Sequence, residues 1–504
     1  MMDAGLLPLD ETGLYTAAGG TLEAPGLAAR ADAAEPFARR HAVFLIVLAL
    51  AAILRIMTMI AYFPAFWHPD SLGYVAPALH PYPEVIRPVG YSLLLLWPLR
   101  IFHSVAVVAA VQHAFGLLAG TLIYALLRRR FQFAGWTAAL AAAPVLLSAY
   151  EVQLEHYILS DTLFMILTVA ALVIALWRQV PAIWSCAATG LLLSAAAITR
   201  TEGLPLVAPF ALAALVAYAS VPQRLVRVAA LIVAFALPLL GYASWFKAVH
   251  GNFEFTDGGV FLASRVETFA NCSVIQPPAG ERWLCLRTPA SRRLTPDDYL
   301  WGKASITPLH APPTGAPFSA RTSTVASKFA IRAIESQPLT YGATVWRSFL
   351  RTFGGNGGPY SDGQATFMFP SHKPETVIQL ARANPGNSAR AFGQYNGGRN
   401  PDTALRQPWV AVLRFYQSFA TLVPALLAGV VTVGLAGICL AFRRRGGPAL
   451  LPWLTGMLML IIPAATSSYE ARYVIPTVPY FCVAAALAVR EVGNRNSALR
   501  AARG

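Results

Sequence analysis

The chain has 504 residues, 56% hydrophobic and only 12% charged, with a mean hydropathy of +0.52, a balance that excludes an ordinary soluble protein. Apolar runs long enough to cross a ~30 Å hydrocarbon layer recur along most of it. The fold class read from them is an all-α polytopic membrane protein of about ten transmembrane helices, with a mixed outer cap segment between spans seven and eight. The formal charge of +15 lies largely in short arginine clusters between those runs, where it sets membrane orientation and does not signal a nucleic-acid partner.

Residues 1–41 are small, polar and weakly acidic and read as a disordered cytoplasmic tail. Spans are predicted at about 42–63, 103–127, 132–149, 158–177, 181–199, 203–220, 226–246, 412–441, 449–466 and 472–490. The first run is full length with no small-residue cleavage pattern after it, so it reads as a retained span and not a secretory signal. These spans divide the chain into an N-terminal transmembrane module, 42–247, with a first outer loop at 64–102, an extracytoplasmic cap segment at 248–410, C-terminal transmembrane helices at 411–490 and a cytoplasmic tail at 491–504. Arg39 and Arg40, Arg128 to Arg130, Arg178, Arg224 with Arg227, Arg443 to Arg445 and Arg490 all flank spans on one side. By the positive-inside rule that side is cytoplasmic, in an inner membrane, and both termini lie there.

The opposite face collects five pieces of chain: the 64–102 loop, a short turn at Tyr150 to Tyr157, Arg200 at the end of the fifth span, the cap, and a turn at Ser467 to Glu470. In the first loop, Trp67-His68-Pro69-Asp70-Ser71-Leu72-Gly73-Tyr74 is followed by Arg87-Pro88-Val89-Gly90-Tyr91. A carboxylate and an arginine held together there could deprotonate an acceptor and hold a phosphate. Tyr74 is the candidate substrate contact beside them.

Charges near apolar spans are costly and usually report function. Arg55 sits inside the first span near its outer end, where it could snorkel or contact a phosphate. Arg200 and Glu202 occupy a tight outer hairpin and could pair with each other, with Arg200 placed to face the same cavity as Asp70. In the second outer turn Glu155 and His156 could orient an acceptor, assist Asp70 or bind a divalent cation with it; no other cofactor is expected. Ser160 reads as an N-cap and Asp161 as a first-turn acid favoured by the helix dipole. Arg472, beside Glu470, starts the final span with a planar fork suited to phosphate.

The cap is rich in Gly, Pro, Arg, Ser and Thr, with loops such as Gly354-Gly355-Asn356-Gly357-Gly358. Residues 323–353 read as a helix, a Gln337-Pro338 break and a second amphipathic helix resting on the membrane surface. Cys272 and Cys285 share this outer segment, and a disulfide between them would stabilise it by roughly 3 kcal/mol. Cys186, Cys439 and Cys482 fall within spans and read as packing residues.

In its order of motifs the chain resembles the GT-C superfamily of integral-membrane glycosyltransferases, in particular the group containing protein mannosyltransferases and the lipid A aminoarabinose transferase. The resemblance rests on the Asp70 loop, Arg87-Pro88-Val89-Gly90-Tyr91, Ser160-Asp161-Thr162-Leu163-Phe164, Thr199-Arg200, and Arg472-Tyr473 with Pro476 and Pro479, within about 42–246 and 412–490. It implies a multi-pass transferase taking a sugar from a polyprenyl-phosphate-linked donor in the membrane lipid to a lipid, glycan or protein acceptor outside, with inversion. Asp70 would be the general base and Arg87, Arg200, Arg472 and Arg55 the donor-phosphate ligands; beside what the resemblance implies, Tyr74, His156 and Glu470 are candidate substrate contacts. Ser71 stands where many relatives carry a second acid, Asp161 where they carry Glu, and Thr201 where Pro or Gly often follows the basic residue. The rival class is a membrane transporter or flippase, but no internal repeat is visible and the polar residues gather at the outer span ends.

Overall fold

The computed structural model describes residues 36–216, 220–301, 309, 312–354, 368–374, 376–383, 388–421, 424–441, 447–468 and 470–501. Most of the tail read as disordered, Arg443 to Arg445, Gly355 to Gly358 and Tyr469 lie outside them. The protein is a mostly helical, multi-pass membrane protein. Helices Ala42–Ala61, Val105–Arg130, Val221–His250 and Ala471–Gly493 are each long and apolar enough to cross a membrane. Aliphatic residues dominate these runs, and in hydrocarbon a helix is the form that satisfies every backbone polar group within its own segment. Among the described residues there are also six shorter apolar helices: Ser92–Phe102, Asp161–Leu176, Ile183–Thr199, Thr201–Val216, Pro424–Leu440 and Leu450–Thr466. Ile46, Leu50, Ile53 and Ile56 of the first helix stay exposed, as a lipid-facing stripe requires.

Two predicted elements differ from what forms. The region predicted as a span at 132–149 and a turn at Tyr150 to Tyr157 is a bent helix pair, Gly135–Leu147 and Ala149–His156, meeting at 48°. Ser148 is extended at the bend, and the Ala149 amide donates to Ala420 O at 2.8 Å instead of continuing the helix. Glu151, Gln153, Glu155 and His156 of the second helix are all buried. The predicted span at 412–441 is likewise two helices, Trp409–Gln417 and Pro424–Leu440; Pro424 occupies the first helical position, where its missing N–H costs nothing.

The loop carrying Asp70 is anchored twice at its start. Tyr62–Phe63 pairs antiparallel with Ala404–Leu405, joining the end of the first helix to the end of the cap. Phe66 then bridges the Ala149–His156 helix, its amide donating to His156 O at 2.9 Å and its carbonyl accepting from Ile158 N at 3.1 Å. In the cap, Ala320–Ser336 and Pro338–Arg351 break at Gln337, as the sequence predicts. The first packs Ala326, Phe329, Ala330 and Ala333 against Val260, Ala263 and Val266 to form a core separate from that of the bundle. Cys272 and Cys285, 13 residues apart, are joined by a disulfide beside this core. The second helix rests on the bundle, where Tyr341 Oη donates to Ala465 O at 3.1 Å.

Candidate active site

His68, Pro69, Asp70 and Ser71 form a capped 3-10 turn: His68 Nδ1 accepts from the Asp70 amide at 3.2 Å and Ser71 Oγ from the His68 amide at 3.0 Å. The turn leads into helix Leu72–Leu79 and fixes the direction of the Asp70 carboxylate. Arg87 Nη2 donates to Asp70 Oδ1 at 3.0 Å and its Nη1 to Asp70 O at 2.7 Å. Arg472 Nη1 donates to Asp70 Oδ2 at 2.8 Å. Both carboxylate oxygens are thus taken by guanidinium groups.

Each arginine is itself held. Glu84 Oε2 accepts the amides of Ile86 and Arg87 at 3.0 Å, which sets the turn that presents Arg87. The Arg87 guanidinium lies over the Tyr74 ring at 5.3 Å, and Tyr74 Oη shares a 2.9 Å hydrogen bond with Ser160 Oγ. Gly90, three residues after Arg87, lies so close to the Ile183–Thr199 helix that a Cβ there would sit 2.6 Å from the backbone of Ile198 and Thr199. Only glycine permits that contact, and Arg200 follows immediately. Arg200 pairs with Asp161 and, through Nη2, with Glu202 Oε1 at 3.2 Å. Arg200 and Arg472 both lie over the Tyr473 ring, at 5.1 and 5.3 Å, while Arg472 Nε lies 2.6 Å from Glu470 Oε2. The structure therefore brings Asp70, Tyr74, Arg87, Arg200, Glu470 and Arg472 into one cluster.

Their electrostatics diverge. Burial works against the Asp70 charge, but Arg87 and Arg472 outweigh it and hold the carboxyl well below the usual carboxylate range. Burial pushes Glu470 up to about 7, only partly opposed by Arg472 and reinforced by nearby Asp297, Asp70 and Asp161. Burial lowers His68 to about 4, so its imidazole is neutral and its Nδ1 is free to cap the turn.

Arg55, Glu155 and His156 are not part of this cluster. Arg55, expected at the interface or on a phosphate, is buried and forks onto Glu155, Nε to Oε2 at 2.8 Å and Nη2 to Oε1 at 2.6 Å. Its Nη1 donates to Leu146 O and Ala51 O, so the fork faces inward and not toward solvent. Glu155 Oε2 also meets His113 Nδ1 at 2.8 Å, and His113 Nε2 meets His156 Nδ1 at 3.1 Å; His156 Nε2 ends on Tyr62 O at 2.7 Å. Gly116 makes room for this pair: a Cβ there would fall 1.6 Å from Glu155 Oε1. Gln112 and Tyr91 connect the two networks, Gln112 Nε2 donating to Glu155 O at 2.8 Å and Tyr91 Oη to Gln112 Oε1 at 2.8 Å, with the Tyr91 ring edge-on to Tyr74 at 5.0 Å.

Ser160 differs from the sequence reading, whereas Asp161 does stand in the first turn of its helix. Ser160 makes no side-chain cap and bonds Tyr74 instead, while Asp161 is the ion partner of Arg200. Sequence reasoning missed His113 and Asp297 and named Tyr473 only within the Arg472-Tyr473 motif, with no role of its own. Asp297 opens the short cap helix Pro296–Trp301, bonds Ser468, and lies within electrostatic reach of Arg472 and Asp70. An acid pair at a Pro-led helix start in an otherwise basic cap was the available signal. Among the described residues no group of three His, Cys, Asp or Glu could hold a metal ion.

No protein-family model and no curated protein sequence matches the chain. Among solved structures it is similar to the archaeal oligosaccharyltransferase AglB from Archaeoglobus fulgidus in complex with an inhibitory peptide and a dolichol-phosphate, with a TM-score of 0.42 and 15% identity over 92% of this chain and 52% of that one. It is also similar to the Archaeoglobus fulgidus oligosaccharyltransferase in the apo form, with a TM-score of 0.41 and 14% identity over 91% of this chain and 52% of that one. The chain thus spans about half the length of these two proteins.

Proposed function

We propose that the protein is an inverting glycosyltransferase that moves a sugar from a polyprenyl-phosphate carrier to an acceptor hydroxyl at the outer face of the cytoplasmic membrane. The reading includes ten crossings with both termini inside. The observation that supports it most is the sharing of one carboxylate by two guanidiniums, Arg87 and Arg472, with Arg200 over the same tyrosine ring as Arg472. In the reaction the acceptor oxygen attacks the anomeric carbon as the bond from that carbon to the phosphate oxygen breaks. The electron pair leaves with the polyprenyl phosphate, whose negative charge rises, and the acceptor proton passes to a protein base. Three preorganised guanidiniums stabilise the charge that develops on the leaving phosphate.

Asp70 is assigned as the base of the donor-bound site. In the free protein its oxygens are occupied, so it accepts a proton only after the donor phosphate competes for Arg87 and Arg472. Donor binding and base release are then one event. A second reading is favoured by Glu470, held at about 7 and so matched to neutral pH: Glu470 takes the proton and Asp70 orients the arginines.

The test is to incubate purified protein with a panel of polyprenyl-phosphate sugars and compare sugar release by wild type and Asp70→Asn. Release by wild type that the variant loses supports transfer. No release from any donor, together with movement of an unmodified solute across vesicles, would overturn it in favour of a transporter.

A further inference from the structure

A second site lies at the other end of the bundle. Asp161 and Arg200 sit at the active-site ends of the Asp161–Leu176 and Ile183–Thr199 helices, and Arg472 precedes Val478–Ala501. The opposite ends of the same three helices converge on a cavity of about 420 Å³. A 16-residue helix spans about 24 Å at 1.5 Å per residue, so the two sites stand roughly that far apart at opposite ends of the bundle.

The cavity has two chemistries. Its walls are apolar, among them Leu176, Phe210, Ala213 and Leu451, and its rim carries Arg130, Arg178 and Arg490 with one acid, Glu491. The rim is built and not merely basic. Arg490 donates to the Phe131 carbonyl and lies over the Phe131 and Phe133 rings at 5.9 Å, and Arg130 lies over Phe131 at 5.1 Å. Arg227 donates to Pro181 O at 2.7 Å and adds positive charge near Cys186, another lining residue. Arg130 Nε is buried with no hydrogen-bond partner among the described residues. A buried donor of that kind is costly unless an acceptor meets it, and an anionic oxygen suits a guanidinium best.

We propose that this cavity binds an acidic phospholipid, its phosphate on Arg130 and Arg178 at the rim and an acyl chain along the apolar wall. Charge complementarity and the continuity of rim with apolar cavity select this occupant, because a soluble anion would leave the walls unused and a zwitterionic lipid would set its own cation against the rim's excess positive charge. Basic pockets between transmembrane helices at one membrane face recognise lipid headgroups by the same physics. The inference does not depend on the transferase reading.

Purified, delipidated full-length protein would be titrated with phosphatidylglycerol, phosphatidylcholine and inorganic phosphate and read by native mass spectrometry. Wild type is expected to retain phosphatidylglycerol at least about tenfold more tightly than phosphatidylcholine. Arg130→Gln/Arg178→Gln should remove most of that preference, each guanidinium contributing roughly a fivefold change. Ala213→Trp, which fills the cavity and keeps the rim, should displace the lipid while leaving phosphate binding unchanged, so a folding failure of one variant leaves the other informative. Equal retention of the two lipids, an undiminished preference in either variant, or inorganic phosphate that binds as tightly as the lipid would each overturn the proposal.

Discussion

Arg472 Nη1 lies 2.8 Å from Asp70 Oδ2 although 402 residues separate the two in the chain. With Arg87 on the other oxygen, the carboxylate joins the loop after the first apolar helix to the start of Ala471–Gly493. Asp70→Asn keeps the shape but loses the charge and the basicity. It is expected to lower turnover by roughly 10²–10⁴-fold, the usual contribution of a positioned base, while the protein remains folded by size exclusion and circular dichroism.

Arg472→Lys retains one charge and loses the fork that touches Asp70, Glu470 and the Tyr473 ring. The ammonium cannot reproduce a planar set of donors. A fall of about 10²-fold in kcat with the polyprenyl-phosphate donor is expected, and an unchanged kcat would remove Arg472 from the phosphate site.

Glu470 sets a pH dependence whose sign follows from linkage. Its folded-state value of about 7 exceeds the ordinary 4.5, so the folded protein holds a proton that the unfolded chain releases. The stabilisation is full below about 4.5 and is lost as pH rises through about 7. Tm measured in detergent should therefore fall between about pH 5 and pH 8, and Glu470→Gln should flatten that slope. Donor affinity should weaken over the same range as the site gains negative charge. If Glu470 is the proton acceptor, kcat/KM also shows an ascending limb near 7 that the glutamine variant lacks.

The buried pair of Arg55 and Glu155 predicts loss of stability. Arg55→Ala leaves a carboxylate buried without its fork, and such changes cost about 3–5 kcal/mol. Gly116→Ala should act in the same direction, since its Cβ would collide with Glu155. Both are read as a lowered Tm; variants that keep wild-type Tm but lose donor affinity would return Arg55 to the phosphate.

The charges near the ends of apolar runs were legible because a charge beside such a run stands out against its neighbours, and Asp70, Arg87, Arg200 and Arg472 each occur in that setting. Glu155 and His156 were misplaced for the converse reason. Eight polar-rich residues between apolar runs resemble a solvated turn, and nothing local reveals that Arg55, Gln112 and His113 lie 40 to 100 positions away ready to satisfy them. Asp161 invited a helix-dipole explanation because its partner Arg200 is 39 residues distant. The break within 412–441 was written in the chain as Gln417-Ser418 and Pro424, but the long apolar stretch that follows masks a proline that opens a helix. Asp297 follows no period, and only the packing of the cap brings it near Arg472.

The disulfide between Cys272 and Cys285 also records the history of each molecule. Disulfides form and persist in oxidising compartments, so under the proposed topology, with residues 248–410 outside, the redox state of this one would report which way the chain was inserted. A correctly oriented population should resist alkylation at both cysteines until reduced, whereas any inverted copy would expose two reactive thiols to the cytosol. The cap thereby carries a built-in label of sidedness, readable by mass shift on the intact protein without adding a tag.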